Sequence, residues 1–320
     1  MKLGVLSVVF GDRSLEDALK FFQSHGVQTV EIGCGGFPGS AHLDAENFDN
    51  NKANELKALI KKYNMEISAL SCHANPVHPN KEVADKAHQD FVNACKAAEL
   101  LGVDTIITFS GCPGDSPNSA GPNWVTCPWP NDFLDILDYQ WNQVLIPYWK
   151  KAAEIAKSHG VSKIALEMHP GFCVYNPETL LRLREAVGGE IIGANFDPSH
   201  LFWQGIDAAE AIMTLKGAIH HFHAKDSNIN KRNTEINGVL DTKSYLDIAG
   251  RSWSFRTIGY GHDAAVWKNI ISALRLSGYD GAVSIEHEDG LMSQEEGLAK
   301  AIDFLRDIII FEPAADMWWV

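Results

Sequence analysis

Short runs of apolar residues alternate with longer segments whose apolar positions recur every three or four residues, and this alternation continues along the whole chain. The short runs are typical of strands buried on both faces, and the longer segments are typical of helices that pack one face on a sheet. Each predicted strand is followed by a predicted helix, which indicates repeated βα units and a parallel sheet. The predicted strands begin at Lys2, Thr29, Glu66, Thr105, Lys163, Ile191, Ile219 and Gly281.

The ends of the predicted helices agree with this interpretation. The first helical segment, SLEDALKFFQSHG, has Ser14 in the N-cap position and closes with Gly26, and several later segments also end in glycine. Eight strands, each followed by a helix, predict a closed (β/α)8 TIM barrel in which residues 1–320 form one domain. An open, doubly wound sheet is the alternative. That fold would normally carry a glycine-rich phosphate-binding turn after the first strand, and FGDRS is not such a turn.

Two connections are too long to be simple turns. One follows predicted strand 4, from about residue 111 to 133, and is rich in Pro, Gly and Trp; the other follows predicted strand 7, from about residue 227 to 263. Both leave the carboxyl ends of strands, where barrel enzymes build their sites, and long loops there are usually lids or partner surfaces. The first loop therefore predicts a substrate cover or a homo-oligomer contact made by Trp124, Trp129 and Trp141, and the two roles are compatible.

Composition and charge narrow the range of partners. A hydrophobic fraction of 45% in 320 residues excludes a disordered chain, and a formal net charge of −14 argues against a phosphate backbone or an anionic membrane as the main partner. A small neutral ligand or a cation fits better. The six cysteines form no C-x-x-C pair, and the short apolar stretch at the start is followed at once by Asp12 and Arg13, as in a first strand rather than an export signal. We therefore expect a cytoplasmic protein.

Residues of metal-binding type stand at the ends of four successive predicted strands. These are Glu167, Asp197, His223 and Glu286, each preceded by apolar strand residues. Strand ends of a barrel meet around one axis, and so many carboxylates together are unfavourable unless a cation neutralises them. Three carboxylates and one imidazole suit one divalent ion, with Mn²⁺ favoured, Mg²⁺ next, and Co²⁺, Fe²⁺ or Zn²⁺ possible.

A structural role is the alternative for each of these residues. The three acids could be paired with Lys225 or Arg256, although the acids outnumber these bases. His223 could be a hydrogen-bonded core histidine, and His221 is assigned a structural role because its position in the strand does not face an ion. Structure and site are equally open for the remaining candidates, which are His169, Lys225, Arg256, His262 and His287.

At this point the chain resembles a known superfamily. The segments LEMHP, NFDPSHLFWQG, HFHAKD and SIEHED are similar to the Glu, Asp, His and Glu metal motifs of the xylose isomerase-like barrels. That superfamily includes sugar-phosphate isomerases, ketose 3-epimerases, inosose isomerases and dehydratases, and endonuclease IV, and the resemblance covers nearly the whole chain. It implies metal-binding roles for the four strand-end residues and a substrate-binding role for His200. Cys173 and Ile229 stand where the epimerases have Glu and Arg, which weighs against a simple ketose 3-epimerase.

Such a site supports proton transfer next to a sugar carbonyl. We expect a sugar isomerase or epimerase that acts on an unphosphorylated ketose or related sugar through a metal-bound enediolate. The catalytic candidates are Glu167, Glu286, His169 and His200, and the substrate-binding candidates are His73, His200, Lys225 and Arg256.

Other reactions and roles remain open on the same residues. A lyase on a keto-sugar, keto-inositol or 3-keto-glycoside would use the same chemistry and is the main alternative. DNA repair like that of endonuclease IV is disfavoured by the net charge of −14, and a sugar-binding protein without catalysis is a further alternative.

Overall fold

The predicted closed barrel is confirmed. The computed structural model describes residues 1–317 and 319–320. Eight parallel strands close into a ring, in the order β1, β10, β7, β6, β5, β4, β3, β2, with β1 paired to both β2 and β10. The described strands are β1 (Lys2–Leu6), β2 (Thr29–Gly33), β3 (Glu66–Ser71), β4 (Thr105–Phe109), β5 (Lys163–Glu167), β6 (Ile192–Phe196), β7 (Ile219–Ala224), β8 (Asp226–Ile229), β9 (Trp253–Arg256) and β10 (Ala282–Ile285).

Helices cover the outside of the ring. Ser14 caps the first of them by accepting the backbone N–H of Asp17, as predicted. The described helices are α1 (Leu15–Ser24), α2 (Asn50–Lys62), α3 (Lys81–Leu101), α4 (Asp132–Asp138), α5 (Ile146–Ser158), α6 (Pro177–Val187), α7 (Ser199–Phe202), α8 (Ala208–Thr214), α9 (Lys231–Asn237), α10 (Ala264–Ser277) and α11 (Gln294–Ile308). A π-helical turn, Tyr139–Leu145, joins α4 to α5.

Two elements differ most from the apolar pattern. The apolar run that begins at Lys2 continues to Phe10 and predicts a strand of that length, but β1 ends at Leu6, and Ser7–Phe10 form a 3₁₀ turn that directs the chain toward α1. The helical spacing of the third segment predicts a start at Phe91, but α3 begins at Lys81, capped by the side chain of Asn80. Its first turns are polar and exposed, so the apolar spacing did not indicate them.

The helices pack on the barrel through fully buried large side chains. Phe22, Trp149 and Trp267 are examples, and burying a side chain of this size contributes about 1.5–3 kcal/mol. Inside the ring, Ala69, Ile107 and Ala165 form a separate small cluster. The interior is therefore a packed core, and the polar residues collect toward the carboxyl ends of the strands.

The two long connections both lie after barrel strands, as predicted, but they differ in kind. Residues 110–131 contain no regular element, whereas residues 226–256 contain the antiparallel pair of β8 and β9 together with α9. The sequence predicted a plain loop there because DSNI and WSFR are too short and too polar to show a strand period. We call β8, α9, β9 and the segment between them the hairpin insertion.

The three tryptophans of the first connection and its helix have different environments. Trp129 is 75% exposed, Trp124 is half-buried, and Trp141 is buried beneath the guanidinium of Arg182. Trp141 is therefore not available as a surface contact, and the homo-oligomer role stays a prediction for the other two. Across the described residues, none of the helices combines the length and the apolar character that a membrane crossing requires.

Candidate metal centre and active site

The four strand-end residues converge at the carboxyl mouth of the barrel. Glu167 ends β5, Asp197 follows β6, His223 lies near the end of β7, and Glu286 follows β10, so four neighbouring strands each supply one side chain. One ligand atom from each lies within 4.8 Å of the others. Nδ1 of His223 is 3.1 Å from Glu286 Oε2 and 3.3 Å from Glu167 Oε2. This is the spacing of side chains that could share one cation.

A residue that the sequence analysis did not identify fixes the orientation of His223. Glu31, in the middle of β2, reaches across the barrel and accepts the Nε2–H of His223 at 2.9 Å. Its carboxylate also accepts hydrogen bonds from the hydroxyls of Ser71 and Ser284. With Nε2 bound to Glu31, Nδ1 faces the other three ligand residues, which is the tautomer needed for metal binding.

The donor set fits a divalent ion. Glu31, Glu167 and Asp197 are buried and Glu286 is partly buried, and Lys225 supplies one ammonium group against these four carboxylates, so three negative charges are unbalanced when His223 is neutral. Oδ2 of Asp197 is buried and lacks a hydrogen-bond donor among the described residues, although Lys225 Nζ lies at 3.1 Å. A cation at the cluster would satisfy this oxygen and remove two of the excess charges.

The ionisable groups respond to burial and to each other. Burial acts to lower the pKa of His223, but Glu31 and Glu286 outweigh it and raise that pKa well above its usual value. Burial raises the pKa of Asp197 to about 6, and Lys225 opposes the rise. Burial also acts to raise the pKa of Glu167, but hydrogen bonds from His200 and His223 hold it well below its usual value. Without a cation, His223 therefore carries a proton that a bound metal would displace.

Three of the predicted histidines surround Glu167. His73, after β3, donates from Nε2 to Glu167 Oε2 at 3.1 Å, and His200, on α7, donates to Oε1 at 3.0 Å. His169 does not bind Glu167 but packs on His200, with the ring centroids 4.0 Å apart. Burial and then His200 lower the pKa of His169 to about 3, so this imidazole is neutral at physiological pH. The amide of Asn195 also donates to Glu167 Oε2.

Lys225 lies in the site, and the other basic candidate does not reach the cluster. Nζ of Lys225 is 2.7 Å from Glu286 Oε2 and 3.1 Å from Glu288 Oε2, and Asp197 and Glu286 raise the pKa of Lys225 against the effect of burial. Arg256, on β9, instead pairs with Asp289 at 3.1 Å. Its role in substrate binding stays a prediction.

Two further candidates from the sequence analysis, His221 and His262, have hydrogen-bonding partners, whereas the buried Nδ1 of His287 has none among the described residues. The ring of His221 contacts Asn195 Oδ1 and Ser68 Oγ, in agreement with a structural role. His262 binds Asp226, which holds the connection after β9.

The two positions that depart from the epimerase pattern lie beside the site. Cys173 is buried and its backbone N–H binds Gly111, while Ile229 ends β8 in the hairpin insertion, opposite Trp253.

A cavity of about 380 Å³ opens beside the metal ligands. It lies between the 110–131 connection, the hairpin insertion and the turns after β5 and β6. Its lining residues are Trp124, Thr126, His169, Pro170, Gly171, His200, Trp203, Leu240, Asp241, Thr242, Tyr245 and Trp253. Because four of these side chains are Trp or Tyr, we call it the aromatic cavity.

A barrel with this cluster of carboxylates and a histidine is a recognisable class of protein. Sequence comparison identifies the family. Residues 19–308 match the xylose isomerase-like TIM barrel family, and the chain belongs to that family, which confirms the resemblance seen in the motifs. The sequence is 41% identical over 314 residues to the uncharacterized protein YfiH of Bacillus subtilis, covering 97% of this chain and 99% of that protein. It is also 23% identical to inosose dehydratase of Clostridium perfringens strain 13, covering 95% of this chain and 94% of that enzyme.

Solved structures share the same fold. A D-tagatose 3-epimerase-like protein superposes with a TM-score of 0.64 at 23% identity, over 96% of this chain and 98% of that protein. The IolI protein, solved with a bound zinc atom, superposes with a TM-score of 0.67 at 17% identity, over 97% and 98% of the two chains. Identities this low show a shared architecture, and the family as a whole contains sugar-processing enzymes.

Proposed function

We propose that the protein is a divalent-metal-dependent isomerase or epimerase of an unphosphorylated sugar. The observation that carries the proposal is the pair Glu167 and Glu286, whose carboxylates approach one atom, His223 Nδ1, from neighbouring sides. Two carboxylates that come from separate strands can exchange a proton with two faces, or two adjacent carbons, of a substrate bound beside them. A D-tagatose 3-epimerase-like protein among the similar structures supports this reaction class.

Glu167, Asp197, His223 and Glu286 would hold the ion, which we expect to be Mn²⁺. When bound, it would polarise a substrate carbonyl and stabilise the negative charge that develops when a neighbouring C–H proton is removed. The chain's own residues position the substrate. His73 and His200 hold Glu167 in place, and Lys225, fixed between three carboxylates, presents a positive charge at the same mouth.

The two carboxylates differ in their access to water. The side chain of Glu167 is only 3% exposed, whereas that of Glu286 is 17% exposed and connects through Lys225 to Glu288, which is 50% exposed. A proton taken by Glu286 can therefore exchange with solvent through this chain of groups. A proton taken by Glu167 lacks such a route through an exposed carboxylate, so we expect it to exchange with solvent more slowly.

A lyase is the second candidate, and His169 is the observation that favours it. This neutral imidazole packs on His200 next to Glu167, and its Nδ1–H is bound to the carbonyl of Pro170. It adds a third histidine, beside His73 and His200, on the Glu167 side, where a leaving group next to the reacting carbon would need a polar neighbour. The 23% identity to an inosose dehydratase agrees with this possibility.

Metal analysis tests the shared part of both candidates. The purified protein should contain about one divalent ion per chain, and Glu286→Gln should lose or weaken it. Glu66→Gln is the matched control, because Glu66 is an exposed acid at the opposite end of a barrel strand. The proposal fails if the wild-type protein binds no divalent ion and chelation leaves every detected activity unchanged.

Product analysis separates the two candidates. Ketoses, inososes and 3-keto-glycosides would be incubated with the Mn²⁺-loaded protein in D₂O and followed by NMR. Exchange of a C–H proton with retention of the molecular formula supports the isomerase or epimerase. Loss of water or of an aglycone supports the lyase.

A further inference from the structure

We propose that the substrate of this site is a sugar that carries an aromatic substituent, as in an aryl glycoside, and that the substituent binds in the aromatic cavity. This inference rests on the proposed function, because it assigns the sugar end of the substrate to the metal centre. It extends that function by naming a substrate class larger than a free ketose.

The aromatic cavity adjoins the metal centre. His200 lines the cavity and also donates to Glu167 Oε1 at 3.0 Å, and His169 lines the cavity while packing on His200. A ligand in the cavity would therefore touch the same histidine that touches a metal ligand. In this proposal, the substituent of a sugar bound at the metal centre extends past His200 into this space.

The lining of the cavity is unlike a site for a free polyol. Half of the lining residues are Trp124, Pro170, Trp203, Leu240, Tyr245 and Trp253, which offer mainly apolar surface. The carboxylate of Asp241 is already used, because it accepts the backbone N–H groups of Ser252 and Lys243 and pairs with the Lys243 ammonium. A sugar hydroxyl buried against the apolar half of this lining would lack a hydrogen-bonding partner there, whereas a flat apolar ring needs none.

The cavity is a rigid, built feature. The rings of Trp203 and Trp253 stack with centroids 4.7 Å apart and planes 4° from parallel, which joins α7 to β9. The guanidinium of Arg251 packs on both Tyr245 and Trp253, at 4.3 and 4.6 Å from their ring centres. At about 380 Å³ the cavity also falls within the range of about 300–1,000 Å³ that small-molecule sites occupy.

Binding of two glucosides tests the proposal. The probes are 4-nitrophenyl β-D-glucopyranoside and methyl β-D-glucopyranoside, which differ only in the substituent, measured by isothermal titration calorimetry. We expect the aryl glucoside to bind at least about tenfold more tightly, since only it fills the apolar space. Saturation-transfer NMR should show the strongest contact at the aryl protons. Equal affinities for the two probes would overturn the proposal.

A variant of the cavity wall makes the test specific. Leu240→Asp places a charge on the cavity wall, and the fold should tolerate it because Leu240 is 63% exposed. The matched control is Leu276→Asp, because Leu276 lies on α10 and is 68% exposed. The aryl preference should disappear in the first variant and persist in the second. A preference that survives Leu240→Asp places the ring elsewhere and overturns the assignment.

The binding measurements do not depend on turnover, so the two proposals can fail separately. If the protein proves to bind no metal and to exchange no C–H proton, the proposed function fails. An aryl preference that is sensitive to Leu240→Asp would then still establish the cavity as an aromatic site. A metal-loaded, active enzyme without that preference would retain the proposed function and eliminate the aryl substrate.

Discussion

Replacing Glu31 by glutamine should weaken metal binding while leaving the barrel folded. Glu31 lies outside the four-residue cluster, but it accepts the Nε2–H of His223 at 2.9 Å and so determines which ring nitrogen faces the cluster. Glutamine has nearly the same shape and keeps one oxygen acceptor. The hydroxyls of Ser71 and Ser284, which now donate to Glu31, can rotate to donate or accept, so the amide can be satisfied in place.

The expected decrease in metal affinity follows from the loss of the carboxylate that accepts a hydrogen bond from a metal-binding histidine. A charged acceptor makes the imidazole a better ligand, and removing such a partner typically lowers metal affinity about 10- to 100-fold. This corresponds to about 1.4–2.7 kcal/mol of binding free energy. The effect should be smaller than that of losing a ligand itself.

The assay is competition with a chromogenic chelator for Mn²⁺ and Zn²⁺ at neutral pH, accompanied by thermal unfolding of the metal-free protein. Glu66→Gln, at the other end of the barrel, provides the control for an acid-to-amide change. An unchanged metal affinity in Glu31→Gln, with the unfolding transition preserved, would refute the view that Glu31 orients His223.

Three further predictions concern the scaffold and the metal. Asp226→Ala should lower the free energy of unfolding by about 3–5 kcal/mol, as measured by urea titration. The Asp226 carboxylate accepts the N–H groups of Gly259, Gly261 and His262, and these donors would lose their acceptor. Asp226→Asn should lower the free energy of unfolding by less. Gly36→Ala should reduce activity and stability, because Gly36 has a φ of +62° and a methyl group there would overlap the carbonyl of His73. Gly39→Ala is the control: Gly39 also has a positive φ but has open space around it, so this variant shows the effect of backbone strain without the clash. Saturation with Mn²⁺ at about 100 times its Kd should stabilise the fold by about 2.7 kcal/mol in thermal melts, and Asp197→Asn should remove most of that gain.

The four strand-end residues could be predicted from the sequence because each follows an apolar run directly. In a closed barrel that position alone brings side chains together, even from strands as far apart in sequence as those of Glu167 and Glu286. No distance information was needed. His73 also follows a strand and was a candidate for the same reason, whereas His200 was expected from the superfamily resemblance.

The sequence analysis did not identify Glu31, although a carboxylate within an apolar strand is unusual. The segment TVEIG places a carboxylate between Val30 and Ile32, and such an acid in a buried strand requires a partner. Glu31 lies in the middle of β2 rather than at its end, so a prediction based on strand ends does not include it. Its partner, His223, is 192 positions away in sequence, and nothing local identifies it.

The aromatic cavity could not be predicted for a related reason. Trp124, Trp203 and Trp253 come from three connections whose conformations depend on turns and on single anchoring side chains such as Arg251 and Asp241. In the sequence these tryptophans are separate apolar residues in polar segments. Only the folded connections show that they share a wall.

The junction between β7 and β8 has a consequence for how molecules enter and leave. A single residue, Lys225, separates the end of β7 from the start of β8, and Asp226 fastens the start of the hairpin insertion to the backbone at 259–262. The base of the hairpin insertion is therefore anchored to the same strand that carries His223. The other long connection, residues 110–131, contains no regular element and supplies Trp124 and Thr126 to the cavity. We expect substitutions in that connection to change the rates of ligand entry and exit more than substitutions at the base of the hairpin insertion.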